Sequence, residues 1–178
     1  TALGSALYMW KQTRAPLWDQ VAAASAEVGV VFTALTLITG SIWGRPTWGV
    51  WWVWDARLTT TALMFVLYLG YLAARRVPSA PDVRARRAAV VGLLAAAVVP
   101  INHYAVEWWR TLHQGESLAP GTLDGRFKLA MLFGFLSMTL TYAWLLVHRM
   151  RVERLEERLE AEGLDLAIAE RRAEAVTP

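Results

Sequence analysis

Four long apolar runs set the tightest limit on what this chain can become. They are Val21–Ile42, Leu58–Ala74, Ala88–Tyr104 and Leu129–Val147, and Glu27 is the single Asp, Glu, Lys or Arg in all of them. A bilayer's hydrocarbon core of roughly 30 Å takes about 20 helical residues to cross. Backbone in lipid must satisfy its hydrogen bonds within its own segment, so such runs become helices. The sequence predicts an all-α fold, a polytopic transmembrane helix bundle of four complete spans. The shorter apolar stretch from Ala2 to Trp10 reads as the end of an earlier helix. Small residues at Ala22–Ser25 and Ala95–Ala97 allow helices to approach closely in lipid.

Charge arranges these spans. The net charge of +3 would suit nucleic acid if it lay on one basic face, but it lies in clusters between the apolar runs. Lys11 and Arg14, then Arg75, Arg76, Arg84, Arg86 and Arg87, then Arg149, Arg151, Arg154 and Arg158 occupy alternate connections. They therefore share one side, which the positive-inside rule makes cytoplasmic. Nucleic acid is not an expected partner; membrane lipid is. The expected location is the cytoplasmic (inner) membrane, with the aromatic-rich loops on the outer side. The absence of Cys excludes a disulfide framework, thiolate zinc and a thiol nucleophile.

The chain divides by composition into residues 1–148, the membrane unit, and residues 149–178, a charged cytoplasmic helical tail. In the tail Val152, Leu155 and Leu159 form a stripe among Glu and Arg, and Gly163 is expected to interrupt the helix. The tail reads as a solvated extension of the last span or as a coiled segment that docks a partner.

Five of the ten Trp fall within WGRPTWGVWWVWD, residues 43 to 55: Trp43, Trp48, Trp51, Trp52 and Trp54. An interfacial aromatic belt places one or two such residues at a helix end. It does not need five beside Gly44, Gly49 and a terminal Asp55. The spacing from Trp48 to Asp55 predicts a short interfacial helix whose indoles make a flat shelf for a large planar ligand. On the same side lies NHYAVEWWRTLHQG, residues 102 to 115, with His103, His113, Trp108 and Trp109. Imidazole is a frequent axial ligand of haem iron, and Arg45, Arg57 and Arg110 would suit propionates. His103 at a helix end reads as a packing residue or, alternatively, a ligand. His148 lies on the opposite side as an interfacial residue. Glu27 is either functional within the membrane or paired with Lys11 or Arg14. Glu107 and Asp55 read as orienting groups for Trp or Arg side chains, or as partner contacts.

The string Trp43-Gly44-x-x-x-Trp48-Gly49-x-Trp51-Trp52-Val53-Trp54-Asp55-Ala56-Arg57-Leu58-Thr59 resembles the tryptophan-rich "WWD" signature of haem-handling proteins. Together with the later HYxVEWWxTLHQG string, the WDARLT ending is similar to the CcmC branch of cytochrome c maturation. The resemblance covers roughly Val21 to Val147. It implies haem b held transiently at the outer membrane face, on a platform of Trp43, Gly44, Trp48, Gly49, Trp51, Trp52, Trp54 and Asp55, with Trp108 and Trp109 nearby. It further implies His113 as one axial iron ligand. The other would be a His upstream of the first apolar segment, in a region this chain does not contain. Implied partners are a periplasmic haem chaperone, CcmE, the ABC transporter subunits CcmA and CcmB, and a small membrane subunit, CcmD. The chain would present haem rather than act as an enzyme.

Two rivals come from other classes. An electron-transfer cytochrome subunit needs His pairs at mid-membrane, whereas His103 and His113 both lie at the outer edge. A haem lyase that attaches haem to apocytochrome c belongs to larger relatives, and the WDARLT ending argues against it.

Overall fold

The computed structural model describes residues 1–10, 16–113 and 124–176. Lys11, Arg14, Gln114 and Gly115, all named above, lie outside the described residues. The described elements are helices: α1 (Ala2–Trp10), α2 (Pro16–Trp48), α3 (Ala56–Arg76), α4 (Pro81–Ala96), α5 (Val98–Trp108) and α6 (Gly125–Val176). Four stretches are long and apolar enough to cross a membrane: Pro16–Trp48, Ala56–Arg76, Pro81–Trp108 and Gly125–Ala169. This is a multi-pass helical membrane bundle, as the apolar runs require.

The third span is built from two helices. Pro100 has no N–H to offer the Ala96 carbonyl, and Ala97, in right-handed helical conformation, joins α4 to α5 while its N–H reaches Leu94 and Ala95. The fourth span continues without a break from the membrane segment into the charged tail. Gly163 lies inside α6 and does not interrupt it. The expectation of a stop there fails because a glycine favours a helix end only where the chain turns into the left-handed region; mid-helix it merely costs about 1 kcal/mol.

Small side chains hold the helices together. Ala22, Ala23, Ala24 and Ala26 of α2 are buried, as are Ala85, Ala88, Ala89 and Ala95 of α4. α1 packs on α2 and α4, α3 packs on α2, α4 and α5, and α6 lies against α2. Where α1 crosses α4, a Cβ added at Gly92 would stand 2.7 Å from Ser5 Oγ and 3.1 Å from the Tyr71 ring. The glycine is what leaves room there for the fully buried Ser5 and Tyr71.

Each end of the bundle has its own polar bracing. At one end Arg75 donates to both oxygens of Asp19, at 2.5 and 2.9 Å, and lies 3.9 Å from Glu153 of α6. Glu27 pairs with Arg149, and Gln20 donates to Glu157 at 3.1 Å. The first turns of the tail are thus tied back onto α2 and α3. Near the other end, the hydroxyls of Thr60 and Thr61 lie 2.8 and 3.0 Å from Oδ1 of Asn102, joining α3 to α5.

Candidate functional site

The tryptophan segment is not helical past Trp48. Gly49 takes φ +81°, the left-handed region where glycine is at ease, and its N–H reaches the Arg45 carbonyl at 3.0 Å to close α2. Residues 49–55 then run as an irregular connection. The expected short indole-bearing helix from Trp48 to Asp55 does not form, because the glycine turns the chain before that periodicity can act. Arg45, considered above for propionates, donates to the Gly49 carbonyl and so steadies the turn. Gly44 has a separate task. A Cβ there would sit 3.2 Å from the Trp48 ring, so its absence lets the indole fold back over the last turn of α2.

Asp55 is the pivot of the site. It caps α3, with Oδ1 accepting the Leu58 N–H at 2.7 Å. Its other oxygen, Oδ2, gathers the segment after α5: the Thr111 hydroxyl donates at 2.6 Å, the Leu112 N–H at 3.2 Å and His113 Nδ1 at 3.1 Å. A carboxylate only accepts, so Nδ1 is the donor, and in the neutral ring this contact leaves the Nε2 lone pair as the acceptor. Thr111 also accepts the His113 backbone N–H, at 3.0 Å. Burial pushes the Asp55 carboxyl up, but the hydrogen bonds from Thr111, Leu58, His113 and Leu112 outweigh it and hold the group below the usual carboxylate range. The carboxylate is therefore charged in any neutral medium.

The rings gather around this couple. Trp48 meets the His113 imidazole edge-on at 5.0 Å, and Trp43 meets Trp48 at 5.4 Å. Trp52 and Trp54 form a second pair at 5.5 Å. Tyr104 stacks on Trp108 at 5.5 Å, and Trp108 meets Trp109 at 5.8 Å. Trp43, Trp51, Trp54, Trp108 and Trp109 all keep more than half of their surface exposed, Trp54 the most at 77%. By contrast Trp52 Nε1 is buried and has no hydrogen-bond partner among the described residues. Exposed indole faces and, among the described residues, an indole N–H without a partner and an imidazole held at one nitrogen only are a set of groups that suits a planar, iron-bearing, carboxylated ligand.

Other candidates stand apart. His103 is exposed on α5 and packs edge-on against Tyr104 at 4.9 Å. Glu107 is exposed on the same helix. His148 lies on α6 beside Trp144, ring centroids 4.4 Å apart, with its neighbour Arg149 on Glu27 near the opposite end of the bundle. The reading of Asp55 as an orienting group finds its object in His113, not in a Trp or Arg. Thr111 was not legible as a site residue, though its place two residues before His113 is the signal that would have found it. Thr60, Thr61 and Asn102 were missed for want of any pattern in sequence.

Known proteins are similar to this chain over most of its length. The model of the family described as "CcmC: Heme exporter protein C" matches residues 1–165. A "Heme exporter protein C" of Bradyrhizobium diazoefficiens is 42% identical over 151 residues, covering 83% of this chain and 57% of that protein. Those of Haemophilus influenzae and Escherichia coli K12 are 43% and 40% identical, covering 75% and 80% of this chain and 56% and 57% of theirs. The chain thus spans a little over half the length of these relatives. On the match to its family model and the identity to these proteins, the chain belongs to the heme exporter protein C (CcmC) family.

Proposed function

We propose that this chain binds haem as cargo at the outer face of the cytoplasmic membrane and presents it to a periplasmic haem chaperone for cytochrome c maturation. The observation that carries this reading is the Asp55–His113 couple, packed on Trp48 at the mouth of the tryptophan segment. His113 offers Nε2 to the iron, and Asp55 fixes the ring's tautomer and direction. The indoles of Trp43, Trp48, Trp51, Trp52 and Trp54, with Trp108 and Trp109 nearby, supply apolar faces, and Gly44 and Gly49 shape the turn that carries them. The haem is haem b, held transiently, and the bond-making chemistry belongs to the cargo and its acceptor.

The arginine-bearing end faces the cytoplasm, which follows from the positive-inside rule. Residues 1–148 form the haem-handling unit and residues 149–178 its helical cytoplasmic extension. The chaperone is of the CcmE kind. CcmA and CcmB supply ATP-driven release and CcmD accompanies them, so this chain serves as a presenting subunit rather than a catalyst. No observation favours an electron-transfer subunit.

The deciding experiment is an absorption spectrum of the purified full-length protein, oxidised and reduced, beside His113→Ala. A low-spin haem spectrum that weakens or turns high-spin in the variant supports the reading. An unchanged spectrum removes His113 from the site.

A further inference from the structure

At the end of the bundle away from residues 43–55 lies a polar cavity of about 350 Å³, lined in part by Arg75, Arg76, Arg84, Arg149, Glu27 and Glu153. Two of its guanidiniums are committed: Arg75 to Asp19 and Glu153, and Arg149 to Glu27 and Glu156. Among the described residues Arg76 and Arg84 have no carboxylate partner, and Arg84 Nε is buried without any hydrogen-bond partner. On the opposite count, Glu153 Oε2 is also buried and unpartnered. Two of the residues that line the cavity, Arg84 and Glu153, thus each keep a buried side-chain atom without a partner among the described residues. Buried groups of this kind cost free energy until a ligand satisfies them.

A second cavity, about 390 Å³ and apolar, adjoins the first. Val28, Val31 and Phe32 of α2 and Leu145 and Val152 of α6 form its walls, and it shares Glu27 and Arg149 with the polar cavity. Val31 is 58% exposed on this flank. A charged, hydrogen-bonding chamber that opens at a shared rim into an apolar groove between membrane helices has the two-part chemistry of a phospholipid.

We propose that this pair of cavities is a binding site for an anionic phospholipid with a hydroxyl-bearing headgroup, of the phosphatidylglycerol class. The phosphate takes the free donors of Arg76 and Arg84, a headgroup hydroxyl donates to Glu153, and an acyl chain lies along the groove between α2 and α6. Guanidinium pairs with phosphate oxygens through parallel hydrogen bonds, which suits this role better than an ammonium would. Basic pockets between helices at the cytoplasmic boundary are where anionic headgroups settle. Because α6 packs on the bundle chiefly along α2, the lipid would brace the fourth span against the other three.

The test is lipid titration of the full chain in nanodiscs, followed by its thermal midpoint. Phosphatidylglycerol is compared with phosphatidylcholine and with soluble glycerol phosphate, in the wild type, the double variant Arg76→Gln/Arg84→Gln, and Val31→Trp. Stabilisation by phosphatidylglycerol alone is expected, with apparent affinity falling about fivefold per arginine removed. Val31→Trp, which fills the groove without removing a buried side chain, is expected to weaken it as well. Equal stabilisation by phosphatidylcholine, an equal effect of glycerol phosphate, or an unchanged response in both variants would overturn the proposal.

Discussion

Asp55 Oδ2 lies 3.1 Å from His113 Nδ1, across 58 positions of sequence, while Oδ1 of the same carboxylate caps α3. One side chain thereby fixes both the start of a membrane helix and the tautomer of the site's imidazole. A carboxylate behind a metal-facing histidine sets ring orientation and raises ligand basicity, and losing one typically lowers affinity about 10- to 100-fold.

The two duties of Asp55 separate by substitution. Asn caps a helix about as well as Asp, so Asp55→Asn should keep the cap on α3, while an amide nitrogen in place of Oδ2 no longer accepts from Thr111, Leu112 and His113 and haem affinity drops about 10- to 100-fold. Asp55→Ala should lose the same affinity and also about 1 kcal/mol of stability with the cap. Haem titration and thermal unfolding on the same preparations separate the two. If Asp55→Asn binds haem like the wild type, the couple does not orient the ligand.

Gly92 is fixed by contact, not by backbone. Its added methyl would press on Ser5 Oγ at 2.7 Å, so Gly92→Ala should destabilise by about 1 to 3 kcal/mol, as overpacked sites do. Combining it with Ser5→Ala removes the nearest atom and should return part of that loss. Gly4 offers no such rescue, since its Cβ would meet the Trp18 carbonyl at 2.9 Å. Denaturation in a mild detergent reads these variants.

Arg75 bridges Asp19 and Glu153 with its side chain only 10% exposed. Arg75→Met should cost about 3 to 5 kcal/mol, because two carboxylates are left without their cation. Asp19→Asn combined with Arg75→Met should cost less than Arg75→Met alone. A double-mutant cycle checks the ordering, and additive losses would show that the pair is not coupled.

Gly163 sits exposed within a continuous helix. Gly163→Ala should raise helicity and add up to about 1 kcal/mol, while Gly163→Pro should break the extension. Circular dichroism of the full chain distinguishes these outcomes. A loss of helicity in Gly163→Ala would mean that the helix stops there in solution.

The sequence by itself determined the four crossings, the clustering of arginines at one end and the gathering of tryptophan and histidine at the other. These are properties of runs: hydropathy over a span's length and charge in a connection act locally, whatever the fold. What the sequence misjudged was also local, at Gly49 and Gly163, where glycine permits either a left-handed turn or continued helix and neighbours decide between them. Tertiary structure alone decided that Asp55 serves His113, that Glu27 answers Arg149, and that Gly92 faces Ser5. Each joins residues far apart in the chain, and a pairing across helices depends on crossing angle and rotation, which small buried alanines and glycines set by how closely they let backbones approach.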